Sequence, residues 1–139
     1  NYEKFDKSYS VIVSILLTFF LVIHAVTLLA ALGYGISIEK IIPLIVGVLF
    51  IVIGNYLPKS KSNFFYGIKT PWTLSSEVSW RKTHRLGGKL FVVAGIVCIL
   101  SSFLLNGNIK AVVFFIAIMI AAIVPIVASY FYAKNDKEN

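Results

Sequence analysis

The chain has 139 residues, 58% hydrophobic and only 14% charged, with a mean hydropathy of +0.87 and a net charge of +7. Soluble domains run near a quarter charged, so the composition excludes an ordinary soluble domain and makes a lipid bilayer the solvent. Lipid offers the backbone no hydrogen-bond partners, which leaves helices or closed barrels as spanning forms, and no apolar stretch here alternates as a barrel strand does.

An acyl core ~30 Å thick needs about 20 mostly apolar residues per spanning helix. Four stretches pass, at about 9–32, 38–57, 88–105 and 109–132. The expected fold class is therefore all-α: one polytopic membrane domain over residues 1–139, with four transmembrane helices and an ordered segment, 58–87, between the second and third. The first span is not a signal peptide, being too long and lacking both a basic start and a cleavage site. The chain opens on Asn1 rather than methionine and reads as a fragment of a longer protein.

The spans carry few reactive groups. His24 is the ionisable residue deep inside the first, and such a residue is a functional candidate by default; Thr18 and Thr27 are its expected hydrogen-bond partners. Cys98 stands alone in the third span and reads as a small packing residue. Small residues recur every four positions (Ala94, Cys98, Ser102; Ala117, Ala121, Pro125, Ser129), a spacing that lets helices approach closely in lipid. Contacts within one bundle are the first expectation, and a homo-oligomer seam the second. Pro43 and Pro125 should loosen their helices locally.

Basic residues are distributed unevenly. Lys40 and Lys110 lie in the two short connections around Gly33-Tyr34-Gly35 and Asn106-Gly107-Asn108, while every other lysine and arginine lies at a terminus or between the second and third spans. Basic loops stay cytoplasmic on insertion. The expected arrangement in the cell membrane has both termini and the central segment on the cytoplasmic side, so the positive charge faces anionic lipid headgroups rather than nucleic acid.

The central segment is rich in aromatics, which argues against disorder. Residues 58–63, PKSKSN, form a solvated turn, and 63–67, NFFYG, an aromatic dip closed by Gly67, a position suited to positive φ or a close approach. Pro71 biases Thr70 away from helix. Thr73 or Ser75 then caps a short interfacial helix from Ser76 to His84 or Arg85, with Glu77 in its first turn, Val78 and Trp80 in the headgroup layer and Arg81, Lys82 and Arg85 toward phosphates. Gly87-Gly88 turns the chain into the third span. Glu77 and Arg81 are spaced for a surface pair. His84 has no nucleophile–base set or metal-ligand cluster around it, so the segment is not read as catalytic and no cofactor or metal is expected.

In this order (Asn63, Gly67, Ile68, Lys69, Thr70, Pro71, Trp72, Thr73, Leu74, then Trp80, His84 and Arg85, with Gly54-Asn55 upstream) the segment resembles the SdpI family of bacterial and archaeal membrane proteins. The resemblance implies immunity to a secreted peptide toxin. It also implies a receptor that, with toxin present, holds a transcriptional repressor at the membrane. Together with the expected interfacial helix, it marks for partner or toxin binding Asn55, Asn63, Gly67, Lys69, Thr70, Pro71, Trp72, Thr73, Glu77, Trp80, Arg81, Lys82, His84 and Arg85. The alternative is a small transporter or toxin exporter built on His24.

Overall fold

The computed structural model describes residues 2–138, with side chains from Lys7 onward. The side chains of Glu3 and Lys4 therefore lie outside the described residues, as do Asn1 and Asn139. The described residues form five α-helices, α1 (Tyr2–Ala31), α2 (Ile38–Tyr56), α3 (Pro71–Ser75), α4 (Glu77–Leu104) and α5 (Gly107–Glu138), with a 3₁₀ turn at Leu57–Lys59. No strand occurs among the described residues. All but the short α3 are long and apolar enough to cross a membrane.

The spans are inside out relative to a soluble core. Large side chains such as Leu17, Phe20, Leu21, Phe103, Phe115 and Met119 are exposed, where lipid would cover them. The residues buried within the spans are small: Gly47, Gly95, Ala94, Cys98, Ser101, Ser102 and Ala121. Without a hydrophobic force between helices in lipid, close backbone approach and dispersion hold the bundle.

Helix α4 is the hub, packed against α2 on one side and α5 on the other. It runs antiparallel to α2, and two pairs of glycines, each seven residues apart, face one another: Gly54 with Gly88, and Gly47 with Gly95. A Cβ on Gly54 would sit 2.7 Å from the carbonyl oxygen of Gly88, and one on Gly47 2.7 Å from that of Gly95. The α4–α5 seam uses Ala121, Pro125, Ser129 and Ala133, all buried. The four-residue stripes are thus seams within one bundle, as expected.

Helix α1 differs. None of its described side chains is buried, and its main neighbour is α2. It ends in a Schellman cap: Gly33 has φ +93°, its N–H donates to Ala30 O, and Tyr34 N–H reaches Leu29 O at 3.2 Å.

The ends sort into two groups. The Tyr9 ring of α1 lies 6.4 Å from those of both Phe65, edge-on, and Tyr66, tilted, and Ser76 donates to Asp136 of α5 at 2.9 Å, so the central segment and the two end regions share one face. At the opposite face, the Glu39 carboxylate accepts from Gly107 N–H at 3.3 Å and Ser102 donates to Lys40 O at 2.6 Å. The connections named in the sequence lie there.

One expectation fails. Residues 76–85 are not a separate interfacial helix, and Gly87-Gly88 is not a turn: α4 runs unbroken from Glu77 to Leu104. Both glycines are buried, Gly88 against Gly54 and Gly87 against Ile68, Leu57 and Pro125. They admit neighbours rather than breaking the helix. The charged residues of α4 all lie at or before Lys89, so its first three turns form a polar extension of the apolar length that follows.

Candidate functional site

The polar extension of α4, the short α3 and the loop before it fold over the end of α5 as one cap. Its first part is an Asx turn. Asn63 Oδ1 accepts from the N–H groups of Phe65 and Tyr66 at 2.8 and 2.9 Å, while its Nδ2 donates to Lys61 O at 2.7 Å. Lys69 Nζ closes the same loop by donating to Phe64 O and Phe65 O. Phe64 and Phe65 remain exposed on it.

The turn ends at Gly67, whose φ of +117° few other residues adopt. A Cβ there would sit 2.7 Å from His84 Nε2 and 3.0 Å from the Trp80 ring. Positive φ and close approach, offered as alternatives by the sequence, are both required. The next residue locks the loop down, with Ile68 N–H donating to His84 Nε2 at 2.9 Å. An N–H can only donate, so Nε2 is unprotonated and Nδ1 carries the proton, which it gives to Trp80 O at 2.8 Å. The imidazole also stacks on the indole at 4.0 Å. Burial holds the His84 pKa below its usual range, only partly opposed by the bond to Trp80 O.

Trp80 is 2% exposed and donates from Nε1 to Ser60 O at 2.9 Å. It is therefore a pin inside the protein, not an anchor in the headgroup layer. The misreading has a physical cause: amphipathic spacing identified the buried face but not whether lipid or protein covers it.

Next comes a chain of hydroxyls. The caps fall elsewhere than predicted: Thr70 caps α3 and forms a capping box with Thr73, and Ser76 caps α4 by accepting from Ser79 N–H at 3.1 Å. Thr73 Oγ1 donates to Ile68 O at 2.8 Å and accepts from Thr70 N–H at 2.9 Å. Ser129 Oγ donates to Ile126 O at 2.6 Å, which leaves it to accept from Thr70 Oγ1 at 3.0 Å. Ser79 Oγ donates to Ser129 O at 2.8 Å. Ser129 thereby ties α3 and α4 to α5. The sequence marked it only as a small residue, although a hydroxyl closing an otherwise apolar stripe was the available signal. Ser60, Ser79 and Asp136 were missed, because their partners are twenty or more residues away.

The named residues divide into two sets. Gly67, Thr70, Thr73, Trp80 and His84 make the lock. Asn55, Lys69, Pro71, Trp72, Glu77, Arg81, Lys82 and Arg85 are exposed around it, and Asn63 is half-buried in its turn. Trp72 packs edge-on against Tyr130 at 5.4 Å, and Lys82 Nζ lies 5.7 Å over the Tyr132 ring. Asn55 donates back to Ile51 O within α2. The expected Glu77–Arg81 pair does not form among the described residues: both side chains face water, where such a pair gains little.

His24 lies apart from all of this. It is exposed on α1 and has no hydrogen-bond partner among the described residues; Thr27 donates to Ile23 O instead of to the imidazole.

The lock and the exposed rim around it, Asn55 excepted, lie within the stretch, residues 59–129, that matches the SdpI/YfhL protein family. The chain belongs to that family. It is also 35% identical over 109 residues to the immunity protein SdpI of Bacillus subtilis (strain 168), covering 78% of this chain. Only 52% of that relative is covered, so this SdpI-family chain spans about half the length of the curated protein it matches. No solved structure matches it. With four membrane-crossing helices, this SdpI-family chain is a multi-pass membrane protein.

Proposed function

We propose that this protein confers immunity to a secreted peptide toxin on the cell whose membrane carries it, and that the rim of its polar cap is a signalling surface for a cytoplasmic repressor. The observation that carries the proposal is the likeness to an immunity protein through the stretch that builds the lock. The lock itself supports a recognition surface rather than a reaction centre, since its polar atoms are committed to one another. The rim is what remains for a partner: Trp72, Arg81, Lys82 and Arg85, with Lys69 and Glu77 beside them.

The cap lies on the cytoplasmic side in this proposal. Support comes from the charge distribution: Lys59, Lys61, Lys69, Arg81, Lys82, Arg85 and Lys89 cluster at the face that also holds both end regions, and basic segments resist translocation. Anionic headgroups would then meet the same cations, at about 1 kcal/mol each. A toxin that favours one arrangement of the helices shifts the cap only by its difference in affinity for the two states.

The test is the double substitution Lys82→Ala and Arg85→Ala, on residues whose side chains lie outside the lock. Loss of the transcriptional response with protection intact is the expected result. An unchanged response and unchanged protection would remove these residues from the signalling surface.

A further inference from the structure

The loop that covers α4 is fastened to it at two points that sit side by side. Ser60 O accepts from Trp80 Nε1 at 2.9 Å, Ile68 N–H donates to His84 Nε2 at 2.9 Å, and the imidazole stacks on the indole at 4.0 Å. Between the two points the turn folds on itself through Asn63 and Lys69. Gly67 rests on both rings, since a Cβ there would lie 2.7 Å from His84 Nε2 and 3.0 Å from the Trp80 ring.

The two fastenings differ in chemistry. An indole N–H only donates, so the Trp80 bond has no titratable partner. The His84 bond exists only while Nε2 keeps its lone pair; a proton there sets one N–H against another. The ring is not free to step aside, because Nδ1 still donates to Trp80 O at 2.8 Å and an aromatic face attracts a cation. Gly67, packed on Nε2, leaves no room for a new acceptor. The loop is the part that gives. Ile68 O remains on Thr73 Oγ1 at 2.8 Å, so the piece that comes away is the turn at 61–67, hinged on Ile68.

The surroundings offer an imidazolium no counter-charge. Among the described residues no carboxylate bonds to or pairs with the ring: Asp136 of α5 takes the Ser76 hydroxyl, and Glu77 of α4 and Glu138 of α5 are exposed. Lys69 of the turn is committed to Phe64 O and Phe65 O, and Lys59 of the 3₁₀ turn lies over the Tyr56 ring. Arg81 and Arg85 on α4 and Lys134 and Lys137 on α5 are exposed cations, and α3 has no titratable side chain. Tyr9, Tyr56 and Tyr66, from α1, α2 and the turn, titrate far above the range of a histidine.

We propose that His84 is an acid-operated latch: a proton on Nε2 frees the turn at 61–67 and uncovers the Trp80 indole while the helices of the bundle stay folded. With His84 only 1% exposed, the open form is the one that takes up the proton, which then holds it open. Burial lowers the pKa of the closed form, the sign such a latch needs. The latch is a property of the cap alone and does not depend on a toxin.

The test uses the full chain in phosphatidylcholine vesicles, with Trp72→Phe so that Trp80 is the remaining tryptophan. Given an ordinary pKa of about 6.5 in the open form, the ratio of open to closed rises by up to about thirtyfold from pH 8 to pH 5. Protection of the Ile68 amide from hydrogen exchange, referred to the intrinsic rate at each pH, should fall severalfold or more over that range. Quenching of Trp80 by iodide should rise over the same interval, with far-ultraviolet helix content unchanged. His84→Gln, whose amide does not titrate, should give protection and quenching that do not vary with pH. Equal Ile68 protection at both pH values, a pH response that survives in His84→Gln, or loss of helix together with the Trp80 signal would each overturn the latch.

Discussion

The backbone N–H of Ile68 donates to Nε2 of His84 across 2.9 Å, sixteen residues along the chain. This bond fixes the loop to α4, selects the neutral tautomer of the histidine, and places Gly67 against the ring. Replacing His84 with Ala strands the Ile68 N–H and removes the stack on Trp80. The expected cost is about 2–3 kcal/mol, read as a lower melting midpoint in detergent with loss of the near-ultraviolet Trp80 signal. An unchanged midpoint would show that the bond does not hold the loop.

Burial of the same histidine makes stability depend on pH. The folded state holds the His84 pKa below the value of about 6.5 that it has when unfolded. Between the two values the unfolded chain binds the extra proton, so stability is complete above pH ~6.5 and falls below it by up to about 1.4 kcal/mol per pH unit. Acidification stops mattering once the pH passes below the folded pKa. Unfolding followed from pH 8 to 5 should show this loss, and His84→Gln should flatten it.

Gly67→Ala meets two obstacles, a φ of +117° and a Cβ 2.7 Å from His84 Nε2. The backbone term alone is about 1–2 kcal/mol, and displacing the imidazole adds the loss expected for His84→Ala. If Gly67→Ala melts like the parent chain, the close approach is not a constraint.

Two threonines should behave oppositely. Thr73 Oγ1 sits in the hydroxyl chain, and Thr73→Val should cost about 1–3 kcal/mol by leaving Thr70 N–H without its partner. Thr83 Oγ1 is buried with no partner among the described residues, so Thr83→Val, of the same shape, should be neutral or raise stability by about 1 kcal/mol. Parallel melts of the two variants check the sign of each.

Gly54→Leu and Gly95→Leu should each force α2 from α4, since a Cβ at either position already meets the opposite backbone. Overpacking by a whole side chain should cost about 3 kcal/mol or more. Leucine at Gly35, where nothing lies within 4 Å, is the control.

These contrasts show where sequence reasoning reached and where it stopped. The four helices were legible because hydropathy sets a spanning length, and the small-residue stripes because lipid rewards close approach. Gly67 was legible from its place after an aromatic run. Trp80 was not: periodicity marks a helix face without saying whether lipid or protein covers it. Nor was the continuity of α4, since Gly87-Gly88 reads alike as a hinge and as a contact until Gly54 and Ile68 are seen against it. Ser79 with Ser129 and Trp80 with Ser60 are pairings that no local pattern encodes.

The proposed protection is measured most directly by expressing this chain in a bacterial host sensitive to a secreted peptide toxin and challenging the cells with that toxin. The account predicts that cells expressing this chain in their membrane survive where cells with an empty vector die, and that His84→Ala lowers survival in step with its lost stability. Death of cells whose membranes hold the intact, folded chain would contradict it.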